Sequence, residues 1–156
     1  MTSLNLPELE AFIVAAKAAT YVGSGATSLS YRPGSHDIQF RQGDYAYLDS
    51  YFGGQDFLGQ EVVYFHHEPI WVMNYYGCIL HPDKIDAATA GAVIKASLSA
   101  LYREGRFLGA FQHQVEGWRY VDTNEGDVSR FNGKEWIEAD RLRVYELVYH
   151  GGLVKP

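Results

Sequence analysis

The chain is poor in cysteine. Cys78 is alone among 156 residues, so no intrachain disulfide can form. That usage fits a reducing compartment and a cytoplasmic location. There is also no Lys/Arg block. Thirteen basic residues are scattered among nineteen acidic ones, for a formal net charge of -6. A chain of that sign repels a phosphate backbone at long range, so direct nucleic-acid binding is not expected. Long apolar runs are missing too. Near the N-terminus the longest, Ala11 to Ala16, stops at Lys17, far short of a bilayer span, so no membrane association is expected. The segment before it has no basic n-region, so a secretory leader is not expected either.

What is present is ordinary globular chemistry with an aromatic bias. Hydrophobic residues make up 47% and charged residues 21%, which argues against disorder. A chain of this length buries enough surface to fold without a metal or disulfide. The reading is one α+β domain over residues 1–156, with no internal linker, repeat or low-complexity stretch. The unusual counts are 12 Tyr and 16 Gly.

Two segments carry helical periodicity. In Leu6–Ala19, the residues Leu6, Leu9, Phe12, Ile13 and Ala16 form one apolar stripe. Asn5 is placed to cap it, with Pro7 in the first turn. In Asp83–Glu104, Ile94, Leu98, Leu101 and Tyr102 form the stripe, and Gly105 suits a left-handed C-cap. Tyr21 to Ser35 reads as a Gly/Ser-rich loop. Strands are expected near Asp37–Arg41, Tyr45–Tyr51, Glu61–His66 and Ile70–Tyr76. After the second helix they resume near Ala110–Gln114, Trp118–Thr123, Arg130–Ile137 and Arg143–Tyr149. The short joints favour antiparallel hairpins, and Asn132-Gly133 is the strongest hairpin signal. The expected architecture is an antiparallel sheet of about 6–8 strands with two main helices on one face, in the order α-β4-α-β4.

Familiar catalytic patterns do not occur. Gly23-Ser24-Gly25 lacks the lysine of a phosphate loop, and no serine sits at nucleophile-elbow spacing. His66 and His67 are adjacent and in a strand would point to opposite faces; the other histidines are far apart, so no metal and no cofactor are expected. Cys78 has no neighbouring base and reads as a small buried hydrophobe. Asp122 to Asp127 is oxygen-rich but lacks the spacing of a calcium loop, and reads as a turn.

The informative feature is a tyrosine and carboxylate pattern. Alternation puts Tyr45, Tyr47, Asp49 and Tyr51 on one face of a strand, with Ala46, Leu48, Ser50 and Phe52 on the other. The aliphatic set suits packing under helices, which would leave the tyrosine set on the open side of the sheet. Trp71 and Tyr75, then Tyr120 and Asp122, repeat the combination. Tyrosine pairs a flat apolar ring with a polar tip, and carboxylates among rings attract cations and hydrogen-bond donors. The candidate lining residues are Tyr47, Asp49, Tyr51, Glu61, Trp71, Tyr75, Tyr120 and Asp122. Three functions fit this pattern. A non-catalytic module for a small-molecule ligand leads. A hydrolase pairing Asp49 with Glu61 or Asp122 is the second, and it requires two acids with separated pKa values. A homodimer closed by the aromatic face is the third. Plain cross-strand packing explains part of the pattern as well.

Several segments resemble a known family. They include Tyr31-Arg32-Pro33-Gly34-Ser35-His36-Asp37, Tyr47-Leu48-Asp49-Ser50-Tyr51-Phe52-Gly53-Gly54 and Phe57-Leu58-Gly59-Gln60-Glu61-Val62-Val63-Tyr64. Met73-Asn74-Tyr75-Tyr76-Gly77, Tyr102-Arg103-Glu104-Gly105-Arg106-Phe107-Leu108-Gly109 and Tyr145-Glu146-Leu147-Val148-Tyr149-His150-Gly151-Gly152 belong with them. Together they resemble an uncharacterised bacterial domain family found alone or behind a repressor-type helix-turn-helix. The resemblance implies a sensing role linked to regulation and brings no catalytic residues. This chain has no helix-turn-helix pattern of its own.

Overall fold

A computed structural model describes residues 4–22 and 30–155. The Gly23-Ser24-Gly25 loop lies outside the described residues. Helix α1 is Leu6–Lys17, and the Asn5 side chain accepts from the Glu8 N–H at 3.3 Å, as the sequence suggests. The chain then widens into a π-helical turn, Ala18–Val22. There the Thr20 hydroxyl donates to the Ala16 carbonyl at 2.8 Å, competing with the regular backbone ladder. Helix α2 is Ala87–Arg103, capped by Asp86, which accepts from the Thr89 N–H at 2.7 Å. Gly105 follows with φ of 76°.

Eight strands form one antiparallel sheet. They are β1 His36–Gln42, β2 Tyr45–Gly53, β3 Phe57–Phe65, β4 Glu68–Ile79, β5 Phe111–Val115, β6 Trp118–Asp127, β7 Arg130–Ala139 and β8 Leu142–Leu153. Their order across the sheet is β1-β2-β3-β4-β8-β7-β6-β5. The expected α-β4-α-β4 scheme is corrected on two counts. A π-helical element stands between α1 and β1. Strand takes 51% of the described residues against 23% for helix, so the fold is mostly sheet.

Local readings are corrected too. Asn132-Gly133 lies inside β7 rather than in a turn. A Cβ on Gly133 would sit 2.2 Å from the Tyr149 ring, so glycine is there to admit that ring. His66 and His67 both have positive φ and make the β3–β4 turn.

The helices lie on the tyrosine face, opposite to the expectation. Phe12 of α1 stacks on Tyr45 at 4.9 Å, and Leu9, Ile13, Tyr47, Val63, Trp71, Leu101 and Ile137 share one core. The open face instead carries Leu58, Tyr76 and Val148, neighbours on adjacent strands and all exposed. Burial of the aromatic rings outweighs the small aliphatic set because large rings remove more apolar area from water.

The sheet also contains a repeat that the sequence reading missed. Asp49 pairs with Glu61 across β2–β3, and Asp122 pairs with Glu135 across β6–β7. Gly59 opposes Tyr75, and Gly133 opposes Tyr149. Both units shift register at matching places, after Val63 and after Ile137. Gly53 and Gly126 close equivalent bends with φ of 91° and 92°. The units meet at β4–β8, where Tyr75 opposes Tyr149, Trp71 opposes Leu153 and Ile79 opposes Tyr145. Exchanging the units maps this pairing onto itself, so an approximate two-fold axis runs between Tyr75 and Tyr149.

Candidate functional site

Helix α1 ends by sending Lys17 beneath itself rather than to solvent. Lys17 follows Leu9, Ile13 and Ala16 on the buried stripe and is only 4% exposed. Its ammonium lies 2.8 Å from Glu61 Oε1 and 2.6 Å from Oε2. Lys17 is the one polar contact of Glu61 Oε2 among the described residues. The Met73 sulfur and the Phe107 ring complete the ammonium's surroundings. Two charges this deep are costly unless paired, which is why they meet.

Three further acids share the covered face. Tyr75 donates its hydroxyl to Asp49 Oδ1 at 2.7 Å, and Tyr149 donates to Asp122 Oδ1 at 2.7 Å. Tyr120 and Tyr145 donate to the two oxygens of Glu135, at 2.5 and 3.2 Å. Burial, then the charge of Glu61, pushes the Asp49 carboxyl up to about 7, against the Tyr75 hydroxyl and Lys17. Burial, then Asp122, pushes Glu135 up to about 7, against Tyr120 and Tyr145. Burial pushes Asp122 up to about 6, against the hydrogen bonds from Tyr149 and Asn124. Among the described residues one ammonium therefore lies among these four carboxyls, and three of them hold protons more tightly than in water.

A cavity of about 60 Å³ opens between this face and the helices. Lys17, Glu61, Asp122 and Glu135 supply its charge, with Tyr21, Tyr75, Tyr102 and Tyr149 as phenolic walls. Beyond Tyr21, Phe57 and Tyr75, which line both, lies a groove of about 300 Å³ that reaches Asp49 and Tyr51. Such a space can hold a small polar or cationic group; it is too small for a drug-sized ligand.

Of the residues expected at the site, Glu61, Tyr75 and Asp122 line the cavity, and Asp49, Tyr51 and Tyr75 line the groove. Tyr120 acts behind the wall by holding Glu135. Tyr47 and Trp71 are core residues; the Trp71 indole donates to the Val128 carbonyl at 3.0 Å. Lys17 and Glu135 do not stand out in the sequence, and Tyr145 and Tyr149, which share a face of β8, were not among the expected lining residues. A lysine on the apolar stripe of α1 signals the first. Alternation of Phe131, Gly133, Glu135 and Ile137 signals the second. No group of three or more His, Cys, Asp or Glu among the described residues is placed to hold a metal.

Residues 49–154 match the family described as a domain of unknown function, DUF5680. The chain belongs to that family. No curated protein and no solved structure matches it. The DUF5680 match begins at Asp49 and so spans the four acids of this site, while Lys17 stands outside it. No helix among the described residues of this DUF5680 domain is long and apolar enough to cross a membrane.

Proposed function

We propose that this DUF5680 domain is a non-catalytic module that binds a small molecule in the tyrosine and carboxylate cavity. The observation that carries this reading is the convergence of Glu61, Asp122 and Glu135 on one cavity walled by phenolic rings. A few placed polar groups in an otherwise apolar wall are how small-molecule sites are built. Binding fits better than hydrolysis. A paired-carboxylate hydrolase needs space for both substrate and water between its acids. Here Glu61 is taken by Lys17, and the cavity is about 60 Å³. The rings that a dimer would use are turned under the helices. The resemblance to a bacterial family that also occurs behind repressor-type helix-turn-helix domains supports a sensing role.

A thermal-shift screen against cationic, neutral and anionic metabolites tests the reading. A ligand at 100 times its Kd adds about 2.7 kcal/mol of stability. Asp122→Asn should remove the shift while leaving the protein folded. A shift that survives this variant and a Tyr75→Phe variant unchanged would place the ligand elsewhere and refute the reading.

A further inference from the structure

The repeat seen in the sheet extends to the helices. Asn5 and Asp86 cap α1 and α2 with the same bond, to the N–H three residues on. From those caps the buried positions run in step: Leu9 with Ala90, Phe12 with Val93, Ile13 with Ile94. Continued by the same count, Tyr21 falls with Tyr102, and both line the cavity. Lys17 then falls with Leu98, which also lines it. Each half thus presents a helix to an Asp–Glu pair, and only the first half presents an ammonium.

We infer that the second half keeps the same carboxylate seat without its own cation, and that the ammonium group of a small primary amine fills it. This rests on the binding reading above and names the class of ligand. In the first half, Lys17 shows what chemistry the seat accepts: a primary ammonium against a glutamate, with an aromatic ring, Phe107, at 5.6 Å. In the second half, Glu135 stands where Glu61 does but has no such pair; among the described residues its oxygens accept only from tyrosine hydroxyls. Asp122 is 3% exposed, and its Oδ2 accepts no hydrogen bond among the described residues. Asp122 belongs to the cavity wall, where a bound ammonium would have a charged acceptor. The volume suits an ammonium head with a short alkyl stem, and the groove past Phe57 offers room for the rest. An acidic chain also raises the local concentration of cations.

Titration calorimetry and NMR with ethylammonium chloride, against ethanol and sodium acetate at matched ionic strength, test the inference. Ethylammonium should bind and the two controls should not. Glu135→Gln should weaken ethylammonium by about tenfold or more, the worth of a charge-assisted contact. Leu98→Lys, which plants the missing ammonium, should abolish ethylammonium binding while the folded spectrum persists. If Leu98→Lys does not fold, Glu135→Gln decides. No ethylammonium binding, or binding unchanged in Glu135→Gln, overturns the inference. If a neutral or anionic metabolite binds in the cavity instead, the inference fails while the binding reading stands.

Discussion

The two halves of this molecule solve one problem in two ways. Each buries a glutamate beside an aspartate on the covered face of the sheet. In the first, Glu61 is met by the opposite charge of Lys17. In the second, Glu135 is met by the neutral hydroxyls of Tyr120 and Tyr145, and its carboxyl is pushed up to about 7. A fold can tolerate a buried acid by pairing it or by letting it keep its proton. In the paired half the glutamate already has its cation. The second half has no such cation of its own, and the amine proposed above would supply one.

The largest test makes the first half resemble the second. Lys17→Leu strands Glu61 and should cost about 3–5 kcal/mol in urea denaturation at neutral pH. Adding Glu61→Leu should recover a large part of that loss, because the stranded charge goes with it.

The pH dependence comes next. Asp49, Asp122 and Glu135 bind protons more tightly folded than unfolded, with values of about 7, about 6 and about 7 against ordinary values of 3.8, 3.8 and 4.5. Their contribution to stability is complete below pH 3.8 and is lost as pH climbs through 6 to 7. The groups around them are Lys17 from α1, Tyr21 from the π-helical turn, Tyr102 from α2, and Glu61 and the strand tyrosines from the sheet. Denaturation midpoints should fall from pH 5 to pH 8, a loss of roughly a few kcal/mol. Glu135→Gln should flatten the fall. A flat profile in the unmutated protein would show that the second half is also charge-paired.

Glycine substitutions probe the shared framework. A Cβ on Gly59 meets the Tyr75 hydroxyl, and one on Gly133 meets the Tyr149 ring, each at 2.2 Å. Gly59→Ala and Gly133→Ala should each cost about 1–3 kcal/mol by chemical denaturation. Strong loss at only one of them would break the equivalence of the halves.

The smallest tests are at the caps. Asn5→Ala and Asp86→Ala should each lower stability by about 1 kcal/mol in the same assay. Comparable losses would sharpen the match between α1 and α2.

Much of the fold was legible locally. The stripe from Leu9 to Ala16 and the cap at Asn5 specify α1, and period-two alternation located all eight strands within a few residues. The site was half legible. Asp49, Glu61, Tyr75 and Asp122 stood out because acids alternate with rings there. Lys17 did not, because a lysine at a helix end usually reaches water. The repeat was hidden because its matching residues are sparse: Tyr47 and Asp49 answer Tyr120 and Asp122, but most positions between them differ.

The sequence by itself determined which residues share a face of each strand and helix, since a period of two or 3.6 follows from the backbone alone. It also determined the net negative charge and the absence of a disulfide within the chain. Which face the helices would cover was a tertiary decision. Large rings bury more apolar area than Ala46, Leu48 and Ser50 do, so the tyrosines went inside and carried their acids with them. The same decision placed Lys17 over Glu61 and Leu98 over the second half. Desolvation, acting only once the helices dock, then left Glu61 paired with Lys17 and raised the proton affinity of Asp49, Asp122 and Glu135.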